Sequence, residues 1–152
     1  MQYDKIADPE AVGLEGAVRS ALGRLADMSP DGFCMKLHPE IVSCDPDALR
    51  LTFAYEIEPW QLNPNGIVHG GVLSAMLDTN MGYLVVALTR IPTATISQTT
   101  NFLRPAPPGK RLIAEASIDK RGRHIVFVSS KMWQEGDEKK LIATSEATYT
   151  AS

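Results

Sequence analysis

A segment near the centre of the sequence is apolar on almost every side, and this feature limits the possible fold more than any other. Apolar residues surround the helical wheel over 72–86, and a His-Gly-Gly segment at 69–71 suits the start of a helix. A helix without a polar face has to be buried on most of its sides. We therefore predict one long helix near 70–88 that the rest of the chain encloses.

The remaining sequence supplies strands that could enclose such a helix. Residues 48–58 alternate apolar and polar side chains, the period-two pattern of a half-buried strand. The predicted strands cover 33–43, 48–58, 93–103, 110–120, 124–134 and 140–150. Short turns between the later segments imply antiparallel neighbours. The predicted fold class is α+β, a curved antiparallel sheet wrapped around one long central helix.

The length of 152 residues suits one domain with one core, so we predict a single domain over 1–152. An additional amphipathic helix is expected near 9–26, because Val12, Val18 and Leu22 recur at helical spacing. Pro9 suits the first turn of that helix.

Composition excludes several functions. The formal net charge of −3 argues against general nucleic-acid binding, which needs a basic face. Cys34 and Cys44 form neither a disulfide framework nor a metal-ligand spacing, and we expect both to be reduced. The histidines are scattered along the sequence, so no metal site is expected.

The first ten residues carry no apolar signal region, and the apolar centre is interrupted by polar residues. We expect a cytoplasmic protein that does not contact a membrane.

The residues most suited to chemistry lie between 63 and 82. Gly70 and Gly71 open the central helix, where free N–H groups and the helix dipole favour a developing negative charge. They are typical of an oxyanion hole, or of a flexible helix entry. His69 precedes them, within reach of a bound carbonyl. Asn63 is held extended by the following proline and carries an amide that can hold a polar atom.

Asp78 lies inside the most apolar helix of the chain, where a carboxylate is costly unless it is satisfied. Gly71, Ser74, Asp78 and Gly82 share one helical face at steps of three and four residues. This small, polar face could line a pocket, pack closely on another helix, or do both.

These residues together resemble a known family. The pattern N-x-x-G-x-x-H-G-G from Asn63, followed by Asp78, is similar to the hotdog-fold acyl-CoA thioesterases of the phenylacetic-acid-degradation type, in the thioesterase superfamily. The similarity continues through Asn-Phe-Leu-Arg-Pro-Ala at 101–106, Lys-Arg-Gly-Arg at 120–123 and Leu-Ile-Ala at 141–143. It covers about residues 48–150, and the earlier residues fit by element order alone.

The resemblance implies a role for each site residue. The N–H of Gly70 would polarise the thioester carbonyl, which His69 and Asn63 would position. Asp78 would be a general base or a nucleophile, and both options stay open. Thr95 would orient water beside this carboxylate. A sister branch has a hydroxyl residue at the position that Gly82 occupies here, so Thr95 would have to supply the hydroxyl.

The expected substrate is an acyl-coenzyme A, whose CoA moiety is not a separate cofactor. Gly71 is expected to contact this substrate, and a run of basic residues either binds the CoA phosphates or is ordinary solvated surface. The run comprises Arg104, Lys110, Arg111, Lys120, Arg121 and Arg123. Two other functions stay open: a non-catalytic acyl-CoA-binding module and a hotdog dehydratase or hydratase.

The spacing of two site residues predicts the assembly. Gly70 and Asp78 lie about 12 Å apart along one helix, at 1.5 Å per residue. A single helix therefore cannot easily bring both groups to one carbonyl carbon. An antiparallel helix from a second subunit could do so, as the hotdog resemblance also implies. We expect a homodimer as the minimal active unit, with a tetramer as the next level of assembly.

Overall fold

The computed structural model describes residues 13–151, which form three α-helices, one short 3-10 helix (Pro59–Gln61) and six strands. The helices are α1 (Gly13–Met28), α2 (Phe33–Lys36) and α3 (Gly70–Thr89). The strands are β1 (Glu40–Asp45), β2 (Arg50–Tyr55), β3 (Thr95–Phe102), β4 (Leu112–Arg121), β5 (Ile125–Gln134) and β6 (Ala143–Thr150). The predicted order of helix, two strands, long helix and four strands is confirmed.

The six strands form a single antiparallel sheet in the order β1-β2-β4-β5-β6-β3. Helix α3 contacts every strand from β2 to β6, so the sheet encloses it from several directions. This arrangement is the hotdog fold, and the predicted fold class is confirmed. Strand β3 is an edge strand, and within residues 13–151 it pairs with β6 alone.

Helix α3 forms where the sequence predicts it. His69 is its N-cap, and Arg90 ends it with a left-handed backbone at φ 63°. More than half of its residues are buried, and they pack against the inner face of the sheet. Within the described residues it is also the helix whose length and apolar composition would suffice to cross a bilayer. Burial in the core accounts for that composition.

Helix α1 packs mainly against α3 and also contacts β1. Leu14, Ala17, Val18 and Ala21 form its buried face, as expected for an amphipathic helix. The prediction placed this helix at 9–26, and positions 9–12 lie outside the described residues.

The prediction of a strand over 33–43 is wrong in its first half. Residues Phe33–Lys36 form the short helix α2, and β1 begins only at Glu40. Between them His38 has a positive φ of 48°, and Pro39 has no N–H to give to a ladder. This local geometry separates helix from strand.

The alternation in β2 also predicted that one of its faces would be polar and open. Leu51, Phe53 and Tyr55 do face the core, but Thr52 and Ala54 are buried as well. Ala54 packs with two side chains on the outer face of the sheet, Ile113 and Trp133. Alternation within β2 could not reveal this small apolar cluster, because its residues come from three strands that are neighbours in the sheet but far apart in sequence.

Candidate active site

The carboxylate of Asp78 lies half-buried in the middle of α3, and two hydroxyl groups hold it. The Oγ1 of Thr95 donates to Asp78 Oδ1 at 2.8 Å, and the hydroxyl of Tyr149 lies 2.7 Å from the same oxygen. No described residue donates to Oδ2. One carboxylate oxygen is therefore fixed, and the other can accept a proton or attack a carbon.

A β-bulge aims Thr95 at this carboxylate. In the pairing with β6, Thr95 lies opposite Tyr149 and Ser97 opposite Thr148, so Ile96 is an extra residue. A bulge shifts the alternation of side chains by one position and commonly redirects a functional side chain. Thr95 and Gln98 can therefore both point toward α3, while the side chain of Ile96 is 53% exposed.

Tyr149 is a functional candidate that the sequence did not single out. It is buried on the inner face of β6, and burial raises its pKa, as does the negative charge of Asp78 beside it. The hydroxyl therefore keeps its proton at neutral pH and acts as a donor. The sequence held one signal for it: on the buried face of β6, Tyr149 is a large residue that follows three small ones, Ala143, Ser145 and Ala147.

The start of α3 presents one free N–H group. The Nδ1 of His69 accepts the N–H of Gly71 at 2.9 Å, so this nitrogen serves as the helix cap. No acceptor in residues 13–151 receives the N–H of Gly70, as expected at a first helical position. A neutral His69 whose Nδ1 accepts carries its proton on Nε2, which can donate to a ligand.

A cavity of about 390 Å3, the glycine-side cavity, lies beside this N–H. Gly70, Phe102, Arg104 and Asn63 are among its lining residues. The Oδ1 of Asn63 accepts the N–H of Asn65 at 2.9 Å, so this side chain shapes the loop that precedes the helix. The predicted contact of its amide with a substrate remains a prediction.

A second cavity of about 210 Å3, the acid-side cavity, lies beside Asp78. Its walls are mostly apolar and come from α1, α2, α3, the start of β3 and the end of β6. A layer of polar side chains separates the two cavities along α3. Within it, Ser74 Oγ and Thr100 Oγ1 are 3.0 Å apart, and Gln98 donates to the carbonyl oxygen of Ser74 at 2.9 Å.

The two halves of the predicted site thus lie at different places in one chain. Gly70 lies against Phe102 at the end of β3, because a Cβ on Gly70 would be 3.3 Å from Phe102 Cζ. Asp78 contacts Thr95 at the start of the same strand. The structure brings Thr95 to Asp78, and His69 to Gly70 and Gly71, but it does not bring Gly70 to Asp78.

The basic run is not one cluster. Lys110 forms an ion pair with Asp137 at 2.9 Å, and Arg111 is paired with Glu135 at 2.6 Å and with Glu40. The other four side chains are exposed and lie at two ends of the sheet. Arg104 follows β3 beside the glycine-side cavity, whereas Lys120, Arg121 and Arg123 lie at the turn between β4 and β5.

The sequence and the fold are similar to those of known proteins. The sequence profile of the thioesterase superfamily matches residues 65–141. A candidate esterase of Pseudomonas aeruginosa is 30% identical over 110 residues, which cover 70% of this chain and 79% of that protein. The chain therefore belongs to the thioesterase superfamily.

Solved structures agree with this assignment. A phenylacetic acid degradation-related protein of Ralstonia eutropha, described as a candidate thioesterase, is 31% identical with a TM-score of 0.73. The similarity covers 90% of this chain and 98% of that one. A Streptococcus mutans protein bound to acetyl-CoA has the same fold, with 19% identity, a TM-score of 0.67, and coverage of 75% and 88%. The resemblance seen in the sequence is confirmed.

Proposed function

We propose that the protein hydrolyses acyl-coenzyme A thioesters to a free acid and CoA. The observation that carries this proposal is the carboxylate of Asp78, whose Oδ1 is held by Thr95 and Tyr149 while Oδ2 has no described donor. A carboxylate fixed through one oxygen beside a mostly apolar cavity suits attack on a bound acyl carbon. The acetyl-CoA bound to the S. mutans protein of the same fold supports the choice of substrate.

The reaction follows from the groups available. Asp78 Oδ2 either removes a proton from water, which attacks the thioester carbon, or attacks that carbon itself. In both cases the carbonyl oxygen gains negative charge, and the N–H of Gly70 with Nε2–H of His69 would stabilise it. Collapse of the tetrahedral intermediate breaks the carbon–sulfur bond and releases the CoA thiolate, which takes up a proton. In the second case, water then hydrolyses the anhydride at Asp78.

A second subunit would complete this site through the open edge of β3. Thr95 and Phe102 are the two ends of that strand, and their side chains mark the acid side and the glycine side. Two antiparallel copies of β3, related by a two-fold axis between Gln98 and Thr99, would place Thr95 of one copy beside Phe102 of the other. The partner's Asp78 would then face Gly70. Exposed Ile96 and Phe102 would be covered by the same pairing.

This pairing would also unite the separated basic residues. Arg104 follows the end of β3, and the turn that carries Lys120, Arg121 and Arg123 lies beside its start, because Ile125 pairs with Thr150. Antiparallel strands bring one copy's strand end to the other copy's strand start. The four exposed cations would therefore lie around one site, where they could bind the phosphates of CoA.

The test is release of the CoA thiol from a panel of acyl-CoAs by the wild type and by Asp78→Asn. This nearly isosteric change removes both base and nucleophile, so we expect kcat to fall by a factor of about 10³ or more while acyl-CoA still binds. Asp119→Asn is the matched control, because Asp119 accepts the hydroxyl of Ser129 at 2.8 Å on the outer face of the sheet. Binding without turnover by the wild type would favour a non-catalytic acyl-CoA-binding module instead.

A further inference from the structure

The acid-side cavity extends from the carboxylate along one face of α3. Asp78, Gly82 and Val86 line it at steps of four residues, which span about 12 Å of helix. Ala21 and Leu25 of α1 line the cavity as well. The cavity thus leads from the reacting group into an apolar space between two helices.

Gly82 has no side chain on the face of α3 that lines this cavity, and nothing in the described part of the chain requires a glycine there. It lies inside α3 without a positive φ, and a Cβ on it would meet only Tyr149 Cε1, at an ordinary 3.6 Å. A glycine within a helix is destabilising relative to alanine. Its conformation and its neighbours therefore do not explain it, whereas a ligand that passes over this position would.

We propose that Gly82 sets the size of the acyl group that the protein accepts. This inference rests on the proposed thioesterase function and gives that function a substrate class. The acyl chain runs from Asp78 across Gly82, and Val86 ends its path. Since an apolar cavity of about 150 Å3 accommodates benzene, a cavity of 210 Å3 has room for roughly eight carbon atoms. The substrates are compact acyl groups rather than long fatty chains.

The experiment compares Gly82→Ala, Gly82→Val and Val86→Ala on straight-chain acyl-CoAs from acetyl to dodecanoyl. Loss of room for one methylene costs about fourfold in binding. We expect the octanoyl to acetyl ratio of kcat/KM to fall about fourfold in Gly82→Ala and more than tenfold in Gly82→Val. Val86→Ala should move the preferred length upward. Gly23→Ala is the matched control, because Gly23 lies within α1 and its Cβ would meet nothing within 4 Å.

The melting temperature separates this role from a structural one. Gly82→Ala and Gly23→Ala should raise Tm by similar amounts, since both replace a helical glycine. The proposal is overturned if the acyl preference of both Gly82 variants equals that of wild type. A lower Tm in Gly82→Ala with all substrates affected equally, or loss of the wild-type oligomer, would also overturn it by showing that Gly82 serves packing.

Free straight-chain carboxylic acids test the cavity independently of hydrolysis. Octanoate should raise the Tm of the wild type and of Gly23→Ala more than that of Gly82→Val, while acetate should not distinguish them. If the wild type cleaves no acyl-CoA but shows these shifts in Tm, the proposed function fails, and the proposal that Gly82 limits the size of the bound acyl group stands. If the wild type cleaves acyl-CoAs and octanoate stabilises Gly82→Val equally, the size limit fails alone.

Discussion

The glycine side and the acid side of α3 are built in opposite ways. At the glycine side the main chain provides the reactive group, a free N–H at Gly70, and the nearby His69 side chain caps the helix. At the acid side the reactive group is a side chain, Asp78, and hydroxyls from β3 and β6 hold it. One side suits binding of an oxyanion and the other suits attack. Because the two sides lie apart within one chain, the proposed reaction requires the glycine side of one subunit and the acid side of another.

After the loss expected for Asp78→Asn, the largest expected effect concerns the N–H group of the glycine side. Gly70→Pro removes the free N–H at a first helical position, where proline is tolerated. The preceding His69 is already extended, at φ −61° and ψ 135°, as a residue before proline requires. We expect kcat to fall by a factor of about 10²–10³, the usual loss of one oxyanion donor.

Gly70→Ala is the matched control for this change. It adds a Cβ against Phe102 but keeps the N–H, so its loss of kcat should be much smaller than that of Gly70→Pro. Equal activity of the two variants would show that the N–H of Gly70 takes no part in the reaction.

A smaller effect is expected from a hydroxyl group that holds the carboxylate on the acid side. Tyr149→Phe removes one of the two donors to Asp78 Oδ1, and a hydrogen bond to a charged group contributes about 1.5–3 kcal/mol. We expect kcat to fall by about tenfold or more in steady-state assays.

Tyr55→Phe controls for the loss of a buried hydroxyl. The Tyr55 hydroxyl donates to the main-chain oxygen of Met76 in α3 at 2.9 Å and does not touch Asp78 by a hydrogen bond. This variant should lose stability but retain its kcat. A kcat loss of the same size in both variants would mean that Tyr149 only supports the fold.

The smallest effect is expected from the exposed cations that would serve both sides. Arg104→Ala and Arg123→Ala should each raise KM for acyl-CoA about fivefold and change kcat less, as for binding of a remote phosphate. An acyl-pantetheine without the nucleotide should show no such increase. Lys110→Ala is the control, since Lys110 is already paired with Asp137. If both substrates respond alike to the arginine variants, these residues are ordinary surface.

The sequence predicted the fold well because its strongest signals are local. The apolar helix at 70–88 and the alternation in the later strands each depend on residues close in sequence. The prediction of a strand at 33–36 was wrong because the hydrophobic residues there follow no regular period. The backbone at His38 and Pro39 separates this segment from the strand that follows. The second buried face of β2 was missed because Trp133, which covers it, lies far along the chain.

The site was predictable only in part, for a related reason. Gly70, His69 and Asp78 belong to one short sequence pattern, so the sequence was enough to single out all three as site residues. The position of Tyr149 beside Asp78 depends on the register of β6 with β3, and the aim of Thr95 depends on a bulge. Register and bulges follow from tertiary packing, which a single sequence does not display.

The central claim, that one subunit's Gly70 acts with the partner's Asp78, is tested most directly by complementation. Gly70→Pro and Asp78→Asn chains carrying different tags would be mixed in equal amounts, refolded together, and assayed against each variant alone. With random pairing half of the dimers are mixed, and each mixed dimer has one intact site. We expect about a quarter of wild-type activity to return. No recovery, with mixed dimers confirmed through both tags, would contradict the account by showing that each site is built within one chain.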